Sequence, residues 1–131
     1  STPKPSSAAS DVYKRQGKEV MRLRRMYYFD HQPFIYYEYH LPKQLKGTSI
    51  EVFEEKSLYR LLDEHRMIID RFQDAFVATT LTEEQQKFMI TPEVAALKRT
   101  RYSYDLQGEV VEYTEGIYNT ALHPYMIEFE A

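Results

Sequence analysis

Hydrophobic and polar positions alternate with two different periods along this chain, and the changes of period divide it into elements. Residues 19–29, "EVMRLRRMYYF", interleave apolar and charged side chains at a spacing of two and are rich in strand formers. "DHQP" follows as a turn signal, and "FIYYEYHL" (34–41) reads as a second strand stopped by Pro42. The two form a β-hairpin. After the loop "KQLKGTS", "IEVFEEK" leads into a helix over 57–66, where Leu58, Leu61 and Leu62 fall at helical spacing behind Ser57, a natural N-cap. "MIIDRFQDAFVATTL" (67–81) reads as one long strand. Thr82 caps a short helix over 82–89, with Glu84 near the capping-box position. Strands follow over 94–105 and 109–120 around "LQG", and a last strand is expected over 123–129. Long antiparallel strands with only two helices define an α+β fold, an antiparallel β-sheet with helices packed on one face.

Two stretches echo each other. "RRMYYFDHQPFIYYEY" lies over "RTRYSYDLQGEVVEYT" when Asp30 is set on Asp105, which pairs Tyr27 with Tyr102 and suggests two equivalent hairpins. The first seventeen residues differ in character: "STPKPSSAAS" is small, polar and proline-containing. Residues 1–17 are expected to form a flexible polar tail, native or appended, ahead of a single domain over 18–131.

Composition narrows the chemistry. The chain has 131 residues, enough for one core, and a net charge of -3, which disfavours phosphate-backbone binding by this chain alone. It has no cysteine, so thiol nucleophiles and disulfides are excluded. The four histidines form neither HxH nor HExxH, and no nucleotide-binding glycine motif or nucleophile elbow occurs, so neither a metal nor a cofactor is expected. No apolar run reaches the length of a membrane span.

What remains is a set of groups suited to an anion. Ser57 and Tyr59 sit in the first turn of a helix, where backbone N–H groups are unpaired. Arg25 and Tyr27 share one face of the first strand, and Arg22 and Arg24 share the other. Glu112 and Tyr118 share a face, with Gly116 between them marking a close approach or a bulge. Each of these has an ordinary alternative: a plain N-cap, a solvated edge strand, a cross-strand ion pair.

The order of "GKEVMRLRRMYYFDHQPFIYYEYHLP", "SLYRLL" and "LKRTRYSYDLQGEVVEYTEGIY" resembles the UTRA domain, the effector-binding domain of the HutC subfamily of GntR-type bacterial transcription regulators. The resemblance covers about residues 17–129. It implies a chorismate lyase-like fold, a homodimer in the cytoplasm, and a small anionic effector such as a sugar phosphate or a small carboxylic acid. It implies operator DNA bound only through a winged-helix domain not present in this chain. Carried over by position, the ligand-binding residues are Arg25, Ser57, Tyr59, Glu112 and Tyr118, with Tyr27 standing where the family has a second arginine. Tyr37 falls where a glutamate is usual, with Glu38 on the other face, and Asn119 where an arginine commonly follows the late tyrosine. A chorismate lyase-like enzyme, with Arg25 and Glu112 in its site, and a ligand-free dimerisation module are the competing readings.

Overall fold

The computed structural model describes residues 20–131; the tail expected over 1–17 lies outside them. Among the described residues, five strands form one antiparallel sheet: β1 (Val20–Phe29), β2 (Gln32–Pro42), β3 (Arg71–Thr80), β4 (Ala95–Tyr104) and β5 (Val110–Tyr118). Their spatial order is β1-β2-β5-β4-β3, so the two hairpins meet at β2 and β5, and β1 and β3 are the edges. Among the described residues, three short α-helices, α1 (Ile50–Glu55), α2 (Leu58–Glu64) and α3 (Glu83–Phe88), and a 3-10 turn (Lys43–Leu45) complete the fold.

The turns explain the hairpins. Asp30 and His31 both adopt positive φ, 48° and 63°, as a two-residue hairpin turn requires. In the second turn the Asp105 carboxylate accepts the N–H groups of Gln107 and Glu109, both at 2.9 Å. Each hairpin carries one bulge, between Tyr27 and Tyr28 and between Ser103 and Tyr104. Laying bulge on bulge sets Arg25 on Arg101. The echo seen in sequence was therefore one residue out of step, and its paired tyrosines face opposite sides.

The helices do not share one face, as expected, but divide between two. Phe53 of α1 and Leu61 and Leu62 of α2 pack with Leu41, Leu45 and Val111 on one side of the sheet. Leu81 and Met89, which flank α3, pack with Ala96 against Met26, Tyr36 and Ile117 on the other, and Phe88 of α3 lies 4.8 Å from the Tyr36 ring. The cause is connectivity: β3 lies between α2 and α3, and the chain leaves its far end to return beneath the sheet.

Five features depart from expectation. A separate helix, α1, forms ahead of α2, with the Ser49 hydroxyl accepting the Val52 N–H. Helix α2 stops at Glu64 because Arg66 turns left-handed (φ 60°) and Met67 N–H closes onto the Leu62 carbonyl at 2.8 Å. Strand β3 then begins only at Arg71. At Thr82 the capping box is completed by Gln85, not Glu84. The strand expected over 123–129 does not form. Both edges of β5 and of β4 are already paired, and Pro124 has no N–H to offer.

Leu62 is fully buried at the junction of α2 and the sheet. Leu62→Ala is expected to lower unfolding free energy by about 2–5 kcal/mol, read from the urea midpoint with unchanged denaturant slope.

Candidate functional site

Register brings the site together. Paired residues on neighbouring strands share a face, and one row across the sheet reads Arg25, Tyr37, Gly116, Arg99 from β1 to β4. The next row reads Leu23, Tyr39, Thr114, Arg101 and Asp74. Helices α1 and α2 close over this face and leave a cavity of about 560 Å³ between their junction and the sheet. Arg25, Arg99 and Arg101 border it, with Lys56, Ser57 and Tyr59 on the helix side and Tyr27, Tyr37 and Tyr39 on the strands.

Each arginine is held differently. Arg25 donates from Nη1 to the Phe53 carbonyl at 3.1 Å and lies over the Tyr27 ring. Arg101 forks onto Asp74 at 2.7 and 2.8 Å and donates to the Tyr59 hydroxyl at 2.9 Å. That fork holds the Asp74 carboxyl below its ordinary value and the Arg101 guanidinium above its own. Arg99 faces the Tyr37 and Tyr118 rings and donates to the Tyr125 hydroxyl at 3.2 Å. Burial works against its charge, but the phenols of Tyr118, Tyr125 and Tyr37 outweigh burial and keep its pKa above the ordinary arginine value. Among the described residues, no carboxylate comes within ion-pair distance of Arg25 or Arg99. Lys56 is paired with Glu64 at 3.0 Å, and Glu54 stands exposed at the rim.

Of the residues singled out in sequence, Arg25, Tyr27, Ser57 and Tyr59 border one cavity. The Ser57 oxygen is occupied as the cap of α2, accepting the Arg60 N–H at 3.2 Å, so its hydroxyl proton is what it can offer a ligand. Helix α2 has seven residues, and its dipole is correspondingly small. Glu112 and Tyr118 do not border the cavity. Tyr118 lies behind the wall, its hydroxyl 2.7 Å from that of Tyr37. Glu112 has no exposed surface; Ser103 donates to it at 2.6 Å and Thr114 donates to its other oxygen. Burial raises its pKa against the pull of those hydroxyls and of Arg101 and Arg99.

Gly116 serves an aromatic ring. A Cβ there would stand 2.7 Å from Tyr37 Cε1 and 3.0 Å from Tyr118 Cε2. The missing side chain lets the Tyr37 ring lie flat across β5, beneath the Arg99 guanidinium.

Sequence reasoning missed Arg99 and Arg101. "RTR" in a strand puts two guanidinium groups on one face, a signal available in the chain but sought only on β1. Tyr125, from the segment after β5, carried no signal at all.

A five-stranded antiparallel sheet with a cationic, tyrosine-lined cavity under two short helices is the architecture of a small-molecule-binding domain. The UTRA domain model matches residues 3–123, and the chain belongs to this family. Its fold is that of solved GntR-family domains. The transcriptional regulator (GntR family) from Enterococcus faecalis V583 aligns over 97% of this chain and 94% of its own, with TM-score 0.78 and 20% identity. The trehalose repressor effector-binding domain of Bacillus subtilis aligns over 98% and 91%, with TM-score 0.77 and 14% identity. A GntR-family transcriptional regulator from Bacillus cereus aligns over 85% and 79%, with TM-score 0.69 and 13% identity. No curated protein matches.

Two outcomes are expected. Gly116→Ala pushes the Tyr37 ring toward the cavity, lowering stability by about 1–3 kcal/mol and shifting the Tyr37 ring resonances in an otherwise native NMR spectrum. Glu112 binds its proton more tightly folded than unfolded, so its contribution to stability falls as pH rises above 4.5, the ordinary glutamate value. Glu115, also raised by burial, adds a slope of the same sign. Urea midpoints at pH 5 and pH 8 are therefore expected to differ less in Glu112→Gln than in wild type.

Proposed function

We propose that this domain is the effector sensor of a cytoplasmic transcription regulator of the GntR family, HutC subfamily, and that it binds a small anionic metabolite, a sugar phosphate or a small carboxylic acid. The observation that carries the reading is the convergence of Arg25, Arg99 and Arg101 on one cavity, two of them without a carboxylate partner among the described residues. Guanidinium forks match phosphate and carboxylate oxygens, and clustered like charges in a partly buried site are relieved when an anion enters. The cavity has the volume of a metabolite site, and its tyrosines offer ring faces and hydroxyls to the rest of the molecule. The trehalose repressor domain provides a precedent for effector binding on this fold.

In this reading the full-length protein is a dimer that reaches operator DNA through a winged-helix domain outside this chain. Ligand bound between α1, α2 and the sheet favours one arrangement of the dimer by its differential affinity for the two. The second copy is assigned to β3. Nine of its ten residues are exposed, one of its edges is unpaired among the described residues, and it carries no proline, lysine or bulge to discourage pairing. The lyase reading is not adopted, since its acid, Glu112, has no surface to present to a substrate.

Thermal unfolding against a panel of sugar phosphates and small carboxylic acids tests the reading. A true effector at a hundredfold excess over its Kd adds about 2.7 kcal/mol, and Arg25→Gln and Arg99→Gln are each expected to remove the resulting shift in Tm. Stabilisation by no member of the panel would favour a ligand-free dimerisation module, and turnover of chorismate would favour the lyase.

A further inference from the structure

Beyond β5 the chain forms no further helix or strand, yet it returns across the face that holds the cavity. Asn119 N–H bonds to the Phe34 carbonyl at 2.9 Å, and His123 packs 4.5 Å from Phe29 and 5.6 Å from Phe34. Two residues later the Tyr125 ring settles between Tyr118, at 4.9 Å, and Phe76 of β3, at 5.1 Å. Its hydroxyl accepts the Arg99 Nη1 bond. After that point the side chains are left in solvent: Met126, Ile127 and Phe129 are 69%, 56% and 89% exposed. Tyr125 is thus the last anchor of the segment, and the anchor point is an arginine of the cavity wall.

We propose that Tyr125 is a positioning residue for the effector site, fixing the Arg99 guanidinium at the cavity wall so that docking of segment 120–131 and anion binding reinforce each other. The proposal rests on the anionic-effector reading given above. Arg99 has a long side chain; among the described residues its Nε is buried without a partner, and its guanidinium lies against the Tyr37 and Tyr118 rings besides its bond to Tyr125. A guanidinium already fixed loses less freedom when it takes up an anion. Linkage makes the effect reciprocal: the factor by which the Tyr125 bond strengthens anion binding is the factor by which the anion strengthens docking. A segment held by few contacts and no ladder of backbone bonds sits at the low end of local stability, where a modest coupling changes its docked population. The same tyrosine touches Phe76, so occupancy of the Arg99 end of the cavity is transmitted to the exposed strand β3.

The test uses inorganic phosphate as probe. Tyr125→Phe keeps the ring on Tyr118 and Phe76 and removes only the hydroxyl. Without phosphate its unfolding midpoint is expected to match wild type, while phosphate binds about five- to tenfold more weakly, the cost of ordering a guanidinium no longer fixed beforehand. Because the chain has no cysteine, a spin label on Glu128→Cys reports the segment alone. Its spectrum is expected to be more mobile in the Arg99→Gln and Tyr125→Phe backgrounds than in the wild-type one, and to be immobilised by phosphate only in the last. Wild-type phosphate affinity in Tyr125→Phe, or equal label motion in all three backgrounds without phosphate, would overturn the proposal. Label release in both variants, with no phosphate binding to wild type, would support the tether and count against the anionic-effector reading instead.

Discussion

Everything at this site depends on strand register. Arg25 and Arg99 are 74 residues apart in the chain and three strand spacings apart in the sheet, about 14 Å between backbones. They share a face only because the β1-β2, β2-β5 and β5-β4 pairings all keep the same phase. A slip of one residue in any of them would turn one arginine to the opposite side. The bulges lie beyond this row, at Tyr27/Tyr28 and Ser103/Tyr104, so the irregular pairing does not disturb it. Gly116 is the point in the row where a side chain is absent, and the Tyr37 ring occupies that space.

Holding like charges together needs compensation, and the protein supplies it unevenly. Arg101 is neutralised by the Asp74 fork. Arg99 is held by aromatic faces and a phenol, which favour a cation without cancelling its charge. Arg25 bonds a backbone carbonyl. Among the described residues the cavity therefore combines one guanidinium paired with a carboxylate and two without one, and behind it burial raises the Glu112 pKa, favouring its neutral form. The proposed preference for anions rests on that asymmetry.

The sheet was largely legible in the sequence, because the alternation in β1, β2, β4 and β5 is strong and their turns carry Asp or Gly. The helices were less so. Arg66 ends α2 in a left-handed conformation that glycine usually signals, and the division of helices between two faces is set by tertiary packing. Strand 123–129 was a false reading of "HPYMIEF": the pattern suits a strand, but the segment crosses the face of the sheet on Phe34, Tyr118 and Phe76 instead of lying along an open edge. Within the site, Arg25, Tyr27, Ser57 and Tyr59 were legible from the helix start and the strand face and were selected by the resemblance, and the β4 pair Arg99 and Arg101 was legible by spacing yet overlooked. Tyr125 could not have been found, since it comes to Arg99 through an irregular segment whose path no periodicity encodes.

The most direct test of the central claim is the location of a bound dianion. In a crystal soaked with selenate, anomalous scattering is expected to place one ion in the cavity, within hydrogen-bond distance of Arg25 or Arg99. Selenate bound only on outer surfaces, with the cavity empty at full occupancy elsewhere, would contradict the account.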